Sequence, residues 1–328
     1  AADAAAIDER VVAIEADYLL AADADALDTR ISDIEADYLL QADADALQSG
    51  VDALANAAVQ RITSTWPEDD GSMSDRTLDV PGEFADVHEA LLWLDAWAID
   101  SDTTVTIQLA PDPAPYEYTA PILVAHRDGD RLQILGDPLD ASAVELHFEG
   151  TDGVTVDQGR ALGLLDGLTI TGDEATSNTE SDGVLVYRNG TMILGPEVVL
   201  QDFGGYGASV QYGGMLWADG AEANSNFRGG FSVNWGSVAS LIGAGSSANS
   251  LDGIGSAYAS AVDATAASAT GNGRDGVRAI YAGTVFADGA TATGNAGYGL
   301  LSAGNSMVRA DGGLVATGNN YGVAASMG

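Results

Sequence analysis

A glycine returns at nearly constant intervals through the second half of this chain. The positions are Gly183, Gly207, Gly230, Gly253, Gly276, Gly299 and Gly322, so the numbering advances by 24 once and then by 23 five times. A period in the low twenties, carried by short β-type runs without helical spacing, means one solenoid coil per repeat. Other positions keep the same register. The residue after each glycine is apolar: Val184, Ala208, Phe231, Ile254, Val277, Leu300 and Val323. The tenth position reads Leu216, Ala239, Val262, Val285, Val308, and the twelfth Ala218, Leu241, Ala264, Ala287, Ala310. Parallel strands in successive coils place like positions above one another, so these are expected to form inward columns. Their small side chains predict narrow coils.

Two further columns carry polar and aromatic groups. The twentieth position is Asn226, Asn249, Asn272 and Asn295. Asparagines in one turn of successive coils are expected to form a structural ladder, each amide donating to one neighbour and accepting from the other. The sixth position is Tyr212, Trp235, Tyr258 and Tyr281. Positions two and four point inward, and strand alternation puts position six on the same side, so a core column is expected. The functional alternative is an outward column acting as a glycan-binding platform.

The N-terminal part follows another rule. Residues 1–62 hold no Pro and a single Gly, and their apolar residues step by three and four: Ile7, Val11, Ile14, Tyr18, then Leu27, Ile31, Ile34, Tyr38, then Leu47, Val51, Leu54, Ala58. IEADYLLAADADAL (14–27) returns as IEADYLLQADADAL (34–47), a 20-residue repeat. So narrow and acidic a helix is not stable alone in water, and its seam is expected to meet other copies in a coiled-coil stalk, about 80 Å long. A linker rich in turn formers is expected over 63–82. An amphipathic capping helix over 83–99 (Phe84, Val87, Leu91, Leu94, Ala98) opens the solenoid, within a segment bounded at 83–103. Strands are expected at 104–110, 121–126, 131–136 and 144–150, beginning a β-helix that fills 104–328. The fold class is therefore mostly β, a helical coiled-coil stalk followed by a right-handed parallel β-helix. The last coil opens at Gly322 and the sequence stops at Gly328, so a cap, a further domain or a partner chain is expected to follow. The missing initial Met is read as processing or as a sequence that is part of a longer chain.

Composition narrows the partners. Against 49 acidic residues stand 12 basic ones, all Arg, for a net charge of −37. Such a surface does not neutralise phosphates, which argues against nucleic acid and anionic membranes. Two readings of it stay open: a high-GC genome with a solvated surface, or a high-salt or marine setting, where dense charge is screened. No apolar run is long enough to span a bilayer. Without Cys there are no disulfides or thiolate metal sites, and His88, His126 and His147 lack ligand spacing, so neither metal nor cofactor is expected.

The order of stalk, capping helix and solenoid resembles trimeric tail fibres and tailspikes of tailed phages or archaeal viruses. Residues 78–137 are similar to the opening segment of their pectate-lyase-like β-helices, through Phe84, Val87, Ala90, Leu91, Trp93 and Leu94, then TVTIQL and a turn ending ILG. The resemblance covers 78–328. It implies a homotrimer on a virion tail, attached at its N-terminal end to other tail or baseplate proteins and adhering to a host surface glycan or protein.

Catalysis is not expected. Some tailspikes of this kind cleave polysaccharide, which needs paired carboxylates for hydrolysis or a base for elimination. Acids at Asp219, Asp288, Asp311, Asp252 and Asp275 have the right chemistry, but so would many others in a chain this acidic. Arg274–Asp275 reads as a surface ion pair, and the polar segment 171–183 as a solvated loop. The expected function is a structural and adhesive virion fibre; the alternatives are a polysaccharide depolymerase and a cellular surface adhesin.

Overall fold

The structure is a computed structural model that describes residues 60–62, 76–173 and 180–326. The stalk expected over 1–62 lies outside the described residues except for its end, Gln60–Ile62. That end is a short strand paired in parallel with Trp97–Ile99, not helix.

From Arg76 onward the chain winds into a parallel β-solenoid of about nine coils. It has three parallel sheets, of ten, nine and nine strands. Each coil contributes one strand to each sheet in turn, as in Met215–Trp217, Glu222–Asn224 and Gly229–Val233. The predicted columns are in register. Val184, Ala208, Phe231, Ile254, Val277, Leu300 and Val323 are successive strand partners on the third sheet. Leu216, Ala239, Val262, Val285 and Val308 are partners on the first. Both columns are buried except near the last coil, where Val323 is 63 % exposed.

The later coils are shorter and narrower than the early ones. On the first sheet the early partners are Val105 with Leu132 and Gln133 with Leu164, and a later pair is Leu216 with Ala239, which closes a shorter coil. Phe148, Phe203, Leu132 and Ile134 fill the early coils, while Ala264, Ala269, Ala287 and Ala292 fill later ones. Side-chain volume and coil length fall together, as close packing requires.

The first coil begins earlier than expected. Arg76–Val80, inside the segment read as linker, is the first strand of the first sheet and pairs with Val105–Leu109. Its alternation puts Leu78 and Val80 fully inside, a signal obscured by the flanking turn formers. The capping helix is shorter than expected, Val87–Leu94. Asp86 caps it by accepting the Glu89 N–H at 2.8 Å, while Glu89 accepts the Ala85 N–H at 2.7 Å. Its buried face of Val87, Ala90, Leu91 and Leu94 joins the core. Tyr118 Oη lies 3.4 Å from Val87 N and His88 Nε2 lies 3.0 Å from Pro121 O, so the helix sits on the first coil. Phe84 and Ala98, expected on the helix, flank it instead.

The asparagines form a continuous buried ladder. Asn226 donates from Nδ2 to Asn249 Oδ1 at 3.1 Å, Asn249 to Asn272 at 3.0 Å, Asn272 to Asn295 at 3.0 Å and Asn295 to Asn319 at 2.9 Å. Each Oδ1 also accepts the backbone N–H of the preceding Asn. Asn319 falls one residue off the period and was not expected. The ladder also explains the repeating glycine. A methyl group on Gly253, Gly276 or Gly299 would stand 2.7 Å from the next coil's ladder Nδ2. Backbone carbonyls lie nearly as close, so glycine is required for close approach rather than for its φ. Gly253→Ala is therefore expected to destabilise the solenoid by about 2 kcal/mol, through overpacking against backbone that has little room to move. Urea unfolding measures it, and a change below about 0.5 kcal/mol, the range of an ordinary surface substitution, would refute the coupling.

Candidate functional site

The aromatic column does not lie in the core. Tyr212, Trp235, Tyr258 and Tyr281 are 46 %, 45 %, 40 % and 57 % exposed. The expectation of a core column fails for a local reason. The strand path ends by position five, and all four aromatics adopt left-handed backbone, with φ between 50° and 59°. That turn rotates position six outward and ends the alternation. The rings stack on one another, with centroids 5.8, 4.0 and 5.1 Å apart and planes within 16° of parallel. Tyr187 meets Tyr212 edge-on at 5.0 Å. For planes at van der Waals separation of roughly 3.5–4 Å, the Tyr212–Trp235 pair must be slipped sideways by about 4 Å. Trp235 and Tyr258, 4.0 Å apart, overlap closely, so the column is a wall of ring edges and polar tips whose faces open only at the slipped pairs, Tyr212–Trp235 and Tyr258–Tyr281.

The wall borders a groove on the outer face of the third sheet. Its volume is about 290 Å³, and Gln211, Ser232, Asn234, Trp235 and Tyr258 are among its lining. Arg228, Arg274, Arg278 and Asp252 also line it. Arg274 Nε donates to Asp252 Oδ1 at 2.6 Å, and its Nη2 also bonds Asp252. Arg278 Nη1 donates to the same carboxylate at 3.1 Å. The expected Arg274–Asp275 pair is therefore not the one made. Arg274 reaches back one coil, and Asp275 faces Arg278 Nε at 3.8 Å.

The acids of this edge form a second ladder that sequence reasoning missed. Asp152 accepts the Asp182 N–H at 2.8 Å, and Asp182 accepts the Tyr206 N–H at 2.7 Å. Asp252 accepts the Asp275 N–H at 3.3 Å, and Asp275 accepts the Tyr298 N–H at 2.8 Å. All four aspartates stand directly before a glycine, and that is the sequence signal. Segment 171–183 is correspondingly not all solvated loop: Ser181 and Asp182 are buried, while 174–179 lie outside the described residues.

Burial raises the carboxyl of Asp275, and also that of Asp152 against the Asp182 N–H. Asp182 is pushed up to about 7, chiefly by burial, against the Tyr206 N–H and with help from the charge of Asp152. The folded state thus holds a proton up to about pH 7 that the unfolded chain releases near pH 4. Stability from this group is greatest at the acid end and falls as pH rises through that window. Asp182→Asn is expected to flatten the fall and to add about 2 kcal/mol at pH 8. Thermal unfolding from pH 4 to 8 measures it, and an unchanged profile would contradict the assignment.

The remaining acids flagged in the sequence serve turns. Asp219 accepts from Ser240 Oγ at 2.6 Å and Ile242 N at 2.9 Å. Asp288 accepts from Asp311 N, and Asp311 accepts from Arg309 Nε at 2.6 Å. On the second sheet His147 Nδ1 meets Thr171 Oγ1 at 2.9 Å, and Thr171 donates to Glu145 at 2.7 Å. Among the described residues no group of three or more His, Cys, Asp or Glu could hold a metal ion, and no helix is long and apolar enough to cross a membrane. The first sheet carries a separate apolar groove lined by Met215, Trp217, Val238 and Phe286. No family model, curated protein or solved structure matches this chain.

Proposed function

We propose that this chain is an adhesive fibre protein, acting as a homotrimer on a virion tail, and that it holds an extended host-surface glycan in the groove of the third sheet. One observation carries the reading. An exposed aromatic wall borders a polar groove, spans four successive coils and sits on a parallel scaffold. Tyr and Trp combine an apolar body with a polar tip, which suits a sugar's apolar faces and hydroxyl edges. A regular parallel scaffold spaces these side chains about 4.8 Å apart, and a polymer can follow such a row.

The other parts of the proposal rest on sequence and surface chemistry. The heptad-like seam of the N-terminal repeat supports assembly through a stalk, with the N-terminal end meeting other tail or baseplate proteins. The exposed apolar residues of the first sheet, in a chain of net charge −37, support contact between copies. The solenoid would wind right-handed, as crossovers between parallel strands nearly always do.

The test is to screen the full chain against extended oligosaccharides by calorimetry, with light scattering on the same sample. Binding of at least one extended sugar, recovered uncleaved, by a three-chain species is the expected result. A monomer, or binding to no member, would overturn the reading, and recovery of shortened sugar would replace adhesion by depolymerisation.

A further inference from the structure

The chemistry of the groove narrows what it takes. Three of the chain's 12 basic residues line it, while Asp252 is the single acid in its lining. Over the whole chain 49 acids face those 12 bases, so a quarter of the bases gather at this one groove. The guanidiniums are not consumed by their partners. Arg274 and Arg278 share one carboxylate, which occupies Nε and Nη2 of the first and Nη1 of the second. Arg274 Nη1 and Arg278 Nη2 make no hydrogen bond among the described residues. The Arg278 Nε is buried and faces Asp275 at 3.8 Å, so it anchors the guanidinium and leaves the outer nitrogens to the groove. Arg228 donates at 2.6 Å to Glu180, which is 77 % exposed at its side chain and easily displaced. Asp252 and Asp275 are nearly buried, at 9 % and 3 %. The acids therefore hold the arginines in place from the less exposed side, and the arginines line the same groove as Trp235 and Tyr258.

Resting on the glycan reading above, we infer that the ligand of this groove is anionic: a glycan carrying carboxylates. Arg274 and Arg278 take the carboxylate, with Arg228 beside them, while the aromatic wall takes the sugar ring. A planar guanidinium fork matches a carboxylate in geometry as well as charge. The net charge of −37 does not forbid this. At physiological ionic strength, fields decay over about 8 Å, so distant acids are screened while direct contacts persist.

The test uses the full chain and a panel of uronate-containing oligosaccharides, each paired with its carboxyl methyl ester, plus sulfated, carboxyl-free sugars. The acidic members are expected to bind about tenfold more tightly than their esters, the worth of one charge-assisted hydrogen bond. Arg274→Gln and Arg278→Gln should each weaken binding of the acidic members and cut their preference over the esters to below about threefold. Thermal unfolding of both variants guards against misfolding, and Asp252 keeps one arginine partner in each. Equal binding of acids and esters, or a preference unchanged in the variants, overturns the inference while glycan binding stands. Preference for the sulfated arm overturns the carboxylate assignment. Binding to no member overturns the adhesive reading itself.

Discussion

Asn249→Ala is expected to lower the unfolding free energy by about 4 kcal/mol, with most of the loss in the partners left behind. The two N–H groups of the Asn249 amide are shared among Ala223 O, Ser246 Oγ and Asn272 Oδ1, each 3.0 Å from Nδ2. Its Oδ1 accepts from Asn226 N at 2.9 Å and Asn226 Nδ2 at 3.1 Å. Alanine strips both amide donors and the doubly used Oδ1 at a site 1 % exposed, where no water replaces them. Each buried group left unpaired costs about 1–3 kcal/mol, and partial relaxation brings the sum to the stated figure. Asn224→Ala is the control. Asn224 also bonds across coils, to Ser247 N at 3.1 Å and Ser247 Oγ at 2.7 Å, but it is only half-buried. Its loss should stay near ~1 kcal/mol, the net worth of an ordinary hydrogen bond. Urea unfolding of both variants gives the comparison, and equal effects would mean that burial is not what makes the ladder matter.

Trp235→Ala is expected to weaken glycan binding about 30-fold, the effect of losing a central aromatic anchor worth about 2 kcal/mol. Trp235 stands between Tyr212 and Tyr258, so its loss opens the middle of the wall. The stability change should be smaller than that of Asn249→Ala, since each lost ring pair contributes about 0.5–1.5 kcal/mol. Trp235→Tyr keeps a stacked ring with a polar tip and should bind within about threefold of the native chain, a difference of less than about 1 kcal/mol. Calorimetry reads both. If alanine and tyrosine bind alike, the wall serves the turn and not the ligand.

Much of the solenoid was legible because the later coils keep one length, so like positions stack in register. Gly253 must be small for the next coil's Asn272 to approach, and that constraint recurs once per coil. The columns through Val277 and Val285 could be read for the same reason. The strand Arg76–Val80 was hidden because it precedes the periodic coils and lies among turn formers. The direction of the aromatic column was also hidden. Alternation holds only while the backbone stays extended, and Tyr and Trp do not advertise a left-handed turn. Gly213 and Gly236, each following a ring, were the available hint, but Ala259 and Ala282 occupy that place in the next two coils.

The groove was less legible than the fold. Arg274 neighbours Asp275 in sequence, yet it bonds Asp252 of the preceding coil, because stacking brings consecutive coils closer than the turn brings consecutive side chains. Asp182 looked solvated within an acidic segment. It is buried because the ladder's backbone N–H groups draw it in.

The most direct measurement is a structure of the chain with a bound acidic oligosaccharide from the panel. The account predicts a sugar chain running along the third sheet against Trp235 and Tyr258, with a carboxylate on Arg274 or Arg278. A sugar bound on the first or second sheet, or at the ends of the solenoid with the groove empty, would contradict it.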